Sequence, residues 1–200
     1  SRFGIGINTD YRGTLKDFGD LTPYAAKGFP ALGQSLLAHL PHGMASAVTD
    51  SLLDHAAVVA LHAVCTEYAS TPLIPLYPSH DTMEAHARFG ALLSDPLIRV
   101  PQRLALLAVG DLSHRLSDSS PEGYRHESVL FDKAVLAALK KKSVQRLLEA
   151  AKKYQDEASM SGIRALLIFL GMLEDYHATF NLLSYESPFG IGYLTAEYIL

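Results

Sequence analysis

Apolar positions recur at helical and strand-like spacings along the 200-residue chain, and these spacings predict its elements. From Thr22 to Leu40, the residues Ala25, Ala26, Leu32, Leu36, Leu37 and Leu40 fall at three- and four-residue steps. That is the pattern of an amphipathic helix, stopping before Pro41-His42-Gly43. Ala56–Cys65 is Ala/Val/Leu-rich and of helical length, with Asp54 placed to cap its start. Thr82–Leu93, Phe131–Leu139, Val144–Ala158 and the fully apolar Ile163–Leu173 predict further helices. Strand-like runs are Thr71–Tyr77, Phe180–Tyr185 and Ile191–Tyr198. A fourth, Arg103–Val109, carries six consecutive apolar residues and predicts a buried parallel strand. Residues 1–20, rich in glycine, predict turns and irregular chain. Helices alternating with apolar strands predict an α/β fold: a mostly parallel central sheet flanked by helices, in a single domain over residues 1–200.

Composition narrows the function classes. The chain is 48% hydrophobic and 19% charged, with 17 Lys+Arg against 21 Asp+Glu and a net charge of −4. Interspersed charges and a pI near 6.1 argue against a nucleic-acid partner. The longest apolar run, Ala165–Leu173, is about half of the ~18 residues a membrane span needs. The opening Ser1-Arg2-Phe3-Gly4 lacks a signal-peptide pattern, and a cytoplasmic protein is expected. The lone cysteine, Cys65, excludes a disulfide framework and multi-cysteine metal sites.

With nine histidines against one cysteine and four methionines, the chemistry is sought at histidine. Gly110-Asp111-Leu112-Ser113-His114 follows the expected strand Arg103–Val109, at the end where open α/β sheets gather ligands. There Asp111 could fix the tautomer of His114, and His114 could act as general acid or base; a capped turn with an exposed His fits the same residues equally well. In Asp54-His55, His55 would lie in the first turn of a helix, a place suited to a neutral ring; a His that only packs there is the plainer reading. His62, seven residues on, is expected in the core or at an interface, and His80, Asp81 and His86 on a solvated face. His39-x-x-His42 is interrupted by Pro41 and marks a helix end rather than a metal site. Lys140–Lys142 is a helix-end charge run. A hydrolase pair of Ser113 and His114 lacks the elbow glycines of such nucleophiles. The stretch Leu183–Tyr193, dense in Gly, Pro and aromatic residues, implies a specific backbone path, with Glu186 near its start.

Leu53-Asp54-His55-Ala56, Gly110 through Leu116, and Leu183 through Tyr193 together resemble the LigB superfamily. This superfamily comprises the catalytic subunits of class III extradiol ring-cleavage dioxygenases and their Memo-like relatives, including a branch associated with the AmmeMemoRadiSam system. Tyr11–Leu15, Pro75-Leu76 and Ser161–Arg164 are further matches, so the resemblance spans nearly the whole chain. It implies a LigB/Memo-like phosphorylase-type core and cleavage of a catechol-type aromatic substrate by O₂ at a non-haem Fe(II) held by two His and one carboxylate. By the same resemblance His114 is the acid/base histidine, with Asp111 beside it. His55 is a second active-site His facing the same cleft, although Ala56 replaces the glycine of the family's Asp-His-Gly. The iron-binding histidines and the first strands of the family fold are expected N-terminal to Ser1. The third ligand is expected near Ser161-Gly162, where no carboxylate stands; Glu157 and Glu186 are the candidate metal ligands within the chain. A catalytically inactive Memo-like binding or scaffold protein is the alternative reading. A homo-oligomer is expected from the family's habit of association and from the apolar last strand.

Overall fold

A computed structural model describes residues 2–64, 71–120, 122–154 and 161–200 of the chain. The fold is α/β, and the chain divides into two compact units, Ser1–Asp81 and Thr82–Leu200. Among the described residues no helix is long and apolar enough to cross a membrane.

In the first unit, β1 (Phe3–Gly6) pairs in parallel with β4 (Ala45–Val48) and antiparallel with β5 (Leu76–Tyr77). The sequence predicts turns at the β1 glycines, yet both lie in a fully buried strand. They are small because neighbours fill their space: a Cβ on Gly4 would meet Val48, and one on Gly6 would meet the Tyr11 hydroxyl and Pro75. β2 (Asp10–Leu15) and β3 (Asp20–Lys27) form an antiparallel hairpin around a short 3-10 turn, Lys16–Phe18. The helix expected over Thr22–Leu40 is therefore two elements. Its first part is β3, and the helix α1 covers Pro30–His39, with proline in its first turn. The boundary falls at Gly28, which passes so close to Asn8 that a Cβ would overlap its carbonyl. α2 (His55–Val64) packs on the β2–β3 hairpin through a small core of Tyr11, Leu53 and Val58. The strand expected over Thr71–Tyr77 shortens to β5 plus a bridge from Leu73 to Gly28.

The second unit is mainly helical. α3 (Met83–Ile98) runs past the expected end at Leu93, and Thr82 caps it by accepting from the Ala85 N–H. α4 (His126–Lys140) begins five residues earlier than predicted; α5 (Val144–Lys153) and α6 (Ser161–Met172) follow. α5 is capped by Tyr154, and residues 155–158 of the predicted Val144–Ala158 helix lie outside the described residues. A bulged antiparallel hairpin, β6 (Thr179–Glu186) and β7 (Tyr193–Ile199), closes the chain. Phe131, Val135, Leu147, Ile163, Leu167 and Leu170 form the centre of its core. α3 and α6 pack closely because each offers a glycine: a Cβ on Gly90 would overlap the Ile168 carbonyl, and one on Gly171 the Ala87 carbonyl.

Arg103–Val109 corrects the sequence reading. It forms no described ladder, and Leu104 and Leu107 are 45% and 51% exposed. Strand-type composition makes a strand only where a partner offers backbone hydrogen bonds, and among the described pairings none does so here. The described strands accordingly pair with one parallel ladder, β1–β4, and antiparallel ladders elsewhere.

Candidate active site

The two motif stretches of the second unit meet in space. The Leu112 N–H donates to the Gly192 carbonyl (3.1 Å), and the Gly192 N–H returns a bond to the Ser113 carbonyl (2.8 Å). The Leu116 N–H reaches the Gly190 carbonyl at 3.0 Å, and the Ser120 hydroxyl donates to the same oxygen. Gly190 adopts φ +70°, in the left-handed region, and a side chain there would also collide with Ser117 and Ser120. The Gly-Pro-aromatic density of Leu183–Tyr193 thus encodes a turn that grips the loop bearing His114.

From the other side, Asp132 on α4 holds the loop. Its Oδ1 accepts from the Ser113 N–H (3.0 Å) and its Oδ2 from the Tyr185 hydroxyl (2.6 Å). Gly192 approaches so closely that a Cβ would overlap Oδ2. Asp132 is 1% exposed, and burial pushes its carboxyl above the usual range, opposed by its hydrogen bonds from Tyr185 and Ser113 and by nearby His114. Tyr185 reaches it because of the β6 bulge. The register shifts between Leu182 and Ser184, so Phe180 and Tyr185 share the inward face despite their odd separation.

His114 lies on the loop so fixed. Its Nε2 is buried without a hydrogen-bond partner, and the nearest acid is Asp111, with Oδ2 3.6 Å away. That distance is beyond a direct hydrogen bond, so the ring holds a buried polar atom ready for a partner. The Asp111 carbonyl faces the first turn of α6, where any side chain in place of Gly162 would collide with it. A cavity of about 40 Å³ adjoins the loop, lined by Val109, Gly110, Leu112, Gly162, Leu166 and Leu194. The Ser113 hydroxyl is buried and donates to the Ser128 carbonyl (3.1 Å), so it is occupied away from His114 and no nucleophile–base pair forms.

In the first unit, Asp54 caps α2 as its residue type predicts, Oδ1 accepting from the Ala57 N–H at 2.8 Å. His55 in the first turn is exposed and faces the ring of Phe18, with centroids 5.3 Å apart. His62 is exposed rather than in the core, and it lies near Asp20 on β3, whose charged form it favours. His86 departs from expectation in the opposite sense. It is fully buried in α3, with Nδ1 2.7 Å from the Thr82 carbonyl, because the helix turns that position inward with Phe89, Gly90 and Leu93. His39 ends α1, as expected.

Among the described residues no group of three or more His, Cys, Asp or Glu could hold a metal ion. These residues alone therefore do not supply the donor set of the implied iron. Glu186 is exposed at the end of β6, and Glu157 lies outside the described residues.

The residue missed in the sequence is Asp132. Its signal was present: Ser128, Phe131, Asp132, Val135, Ala138 and Leu139 form the buried stripe of α4, and an acid in such a stripe needs partners.

The fold is shared with the crystal structure of uncharacterized protein JW3007 from Escherichia coli K12 (TM-score 0.64, 18% identity, 98% of this chain and 80% of that one). Protein CA_C1420 of Clostridium acetobutylicum is 32% identical over 146 residues, which cover 72% of this chain and 31% of that protein. The matched part is thus about a third of the length of that relative. Residues 6–196 match the family described as the catalytic LigB subunit of aromatic ring-opening dioxygenase. With the motif loops, their anchoring turn and this match in agreement, the chain belongs to the LigB family.

Proposed function

We propose that the chain carries the proton-transfer residues of an aromatic ring-opening dioxygenase site acting on a catechol-type substrate. The observation that carries this reading is the buried Nε2 of His114, which has no hydrogen-bond partner, on a loop fixed from two sides. An imidazole exchanges protons near neutral pH, and its usefulness in catalysis depends on being held in place. Asp111, with a carboxylate oxygen 3.6 Å from Nε2, is the acid beside the ring. His114 takes a proton from a substrate hydroxyl and returns one to the oxygen released on ring cleavage. His55 is a second acid/base or hydrogen-bonding group, with Phe18 offering an aromatic face beside it. The family's chemistry requires a metal, Fe(II) by resemblance, and the described residues alone do not supply its full ligand set. The alternative is a Memo-like binding protein without turnover, favoured by the same donor set and by Ala56 in place of glycine.

Anaerobic addition of Fe(II), then a panel of catechols and O₂, separates the two readings. The enzyme reading expects metal uptake and a yellow ring-cleavage product, with His114→Gln slower by about 10²–10⁴-fold. Absence of both metal uptake and turnover across the panel overturns it and leaves the binding protein.

A further inference from the structure

We propose that Asp132 is the positioning residue for His114, joining the His114 loop, the bulged end of β6 and the Gly192 turn through its two carboxylate oxygens. This rests on the reading of His114 as the acid/base group. The two oxygens hold different partners. Oδ1 fixes the peptide N–H of Ser113, immediately before His114, while Oδ2 takes the Tyr185 hydroxyl and lies against Gly192. A buried carboxylate is costly to keep, and burial here works against its charge. A neutral residue of similar shape would hold the helix at lower cost. What the carboxylate adds is a charge anchored at the Ser113 N–H, one residue before His114. Asp111 on the loop and Tyr185 on β6 are ionisable groups beside the pair.

The test is NMR of the full chain with ¹³C-labelled histidine, following the His114 ring from about pH 4 to 9, in an Asp111→Asn background that removes the nearer carboxylate. The expected His114 curve has an additional acidic step as Asp132 takes up its proton. Tyr185→Phe moves that step to higher pH, because it removes a hydrogen bond to the charged form. Asp132→Asn abolishes the step and moves the His114 midpoint to lower pH, because a neighbouring negative charge is removed. A His114 curve without the acidic step, or a folded Asp132→Asn protein with an unshifted midpoint, overturns the proposal. If Asp132→Asn does not fold, the comparison with Tyr185→Phe decides alone. None of these readouts needs turnover, so absence of catechol cleavage would remove the proposed reaction without removing the coupling.

Discussion

Tyr77 shows how one side chain can cost stability and still be tolerated. Its hydroxyl is buried without a partner, and burial, with Tyr11, Asp50 and Asp54 nearby, pushes its acid dissociation up to about 12. An orphaned polar group costs about 1–3 kcal/mol, so Tyr77→Phe should leave the fold intact and raise its melting temperature at neutral pH. The unfolded phenol, near its ordinary 10.0, releases its proton before the folded one. Tyr77 therefore adds a pH-dependent contribution that is complete below about pH 10 and is lost as the pH rises towards 12. Melting curves across that range should fall less steeply in Tyr77→Phe than in the parent chain. Equal slopes would mean that the hydroxyl reaches water in solution.

Among the elements, the α3–α6 pair depends most visibly on single atoms. Gly90→Ala would force a methyl into the Ile168 carbonyl, and Gly171→Ala one into the Ala87 carbonyl, so the helices must separate. Each change should cost about 1–3 kcal/mol, the usual range for overpacking, read as a shift in urea midpoint. A neutral result would show that the helices slide without loss. At the C-terminal end of α6, Lys142 adopts φ +47° and its ammonium donates to the Leu173, Glu174 and Tyr176 carbonyls. Its three donors thus meet three carbonyls at and beyond the helix end, which the charge run in the sequence did not reveal. Lys142→Met should destabilise by about 1.5–3 kcal/mol, the range for hydrogen bonds to a charged group, whereas Lys141→Met, at an exposed position, should do almost nothing. Legibility followed the same physics. The helices of the second unit could be read because their apolar stripes repeat over several turns. In the first unit β1 was hidden, because its glycines report the closeness of Val48 and Tyr11 rather than a turn. β3 was hidden too, because Ala25 and Ala26 fit a helical period equally well. The loop of His114 and the turn at Gly190 were legible as motifs. Their joint anchor, Asp132, required knowing which face of α4 is buried.

For the molecule as a whole, apolar content and burial part company at Arg103–Val109. Six consecutive apolar residues would ordinarily mark the centre of a sheet, yet Leu104 and Leu107 are about half exposed while Leu167 on α6 is fully buried. A hydrophobic side chain stabilises a fold in proportion to the area it removes from water, so these leucines should contribute very differently. Leu167→Ala should cost about 2–5 kcal/mol, as large-to-small core changes do. The double change Leu104→Ser with Leu107→Ser should stay within about 1 kcal/mol, the sum of two ordinary surface substitutions. Chemical denaturation of the three proteins, at several concentrations, makes the comparison direct. If the double serine variant loses as much as Leu167→Ala, the segment is covered in solution. A loss that grows with protein concentration would identify the cover as a second copy of the chain, because only association makes stability depend on concentration. A loss independent of concentration would mean that the segment is buried within one chain, as its strand-like composition predicts.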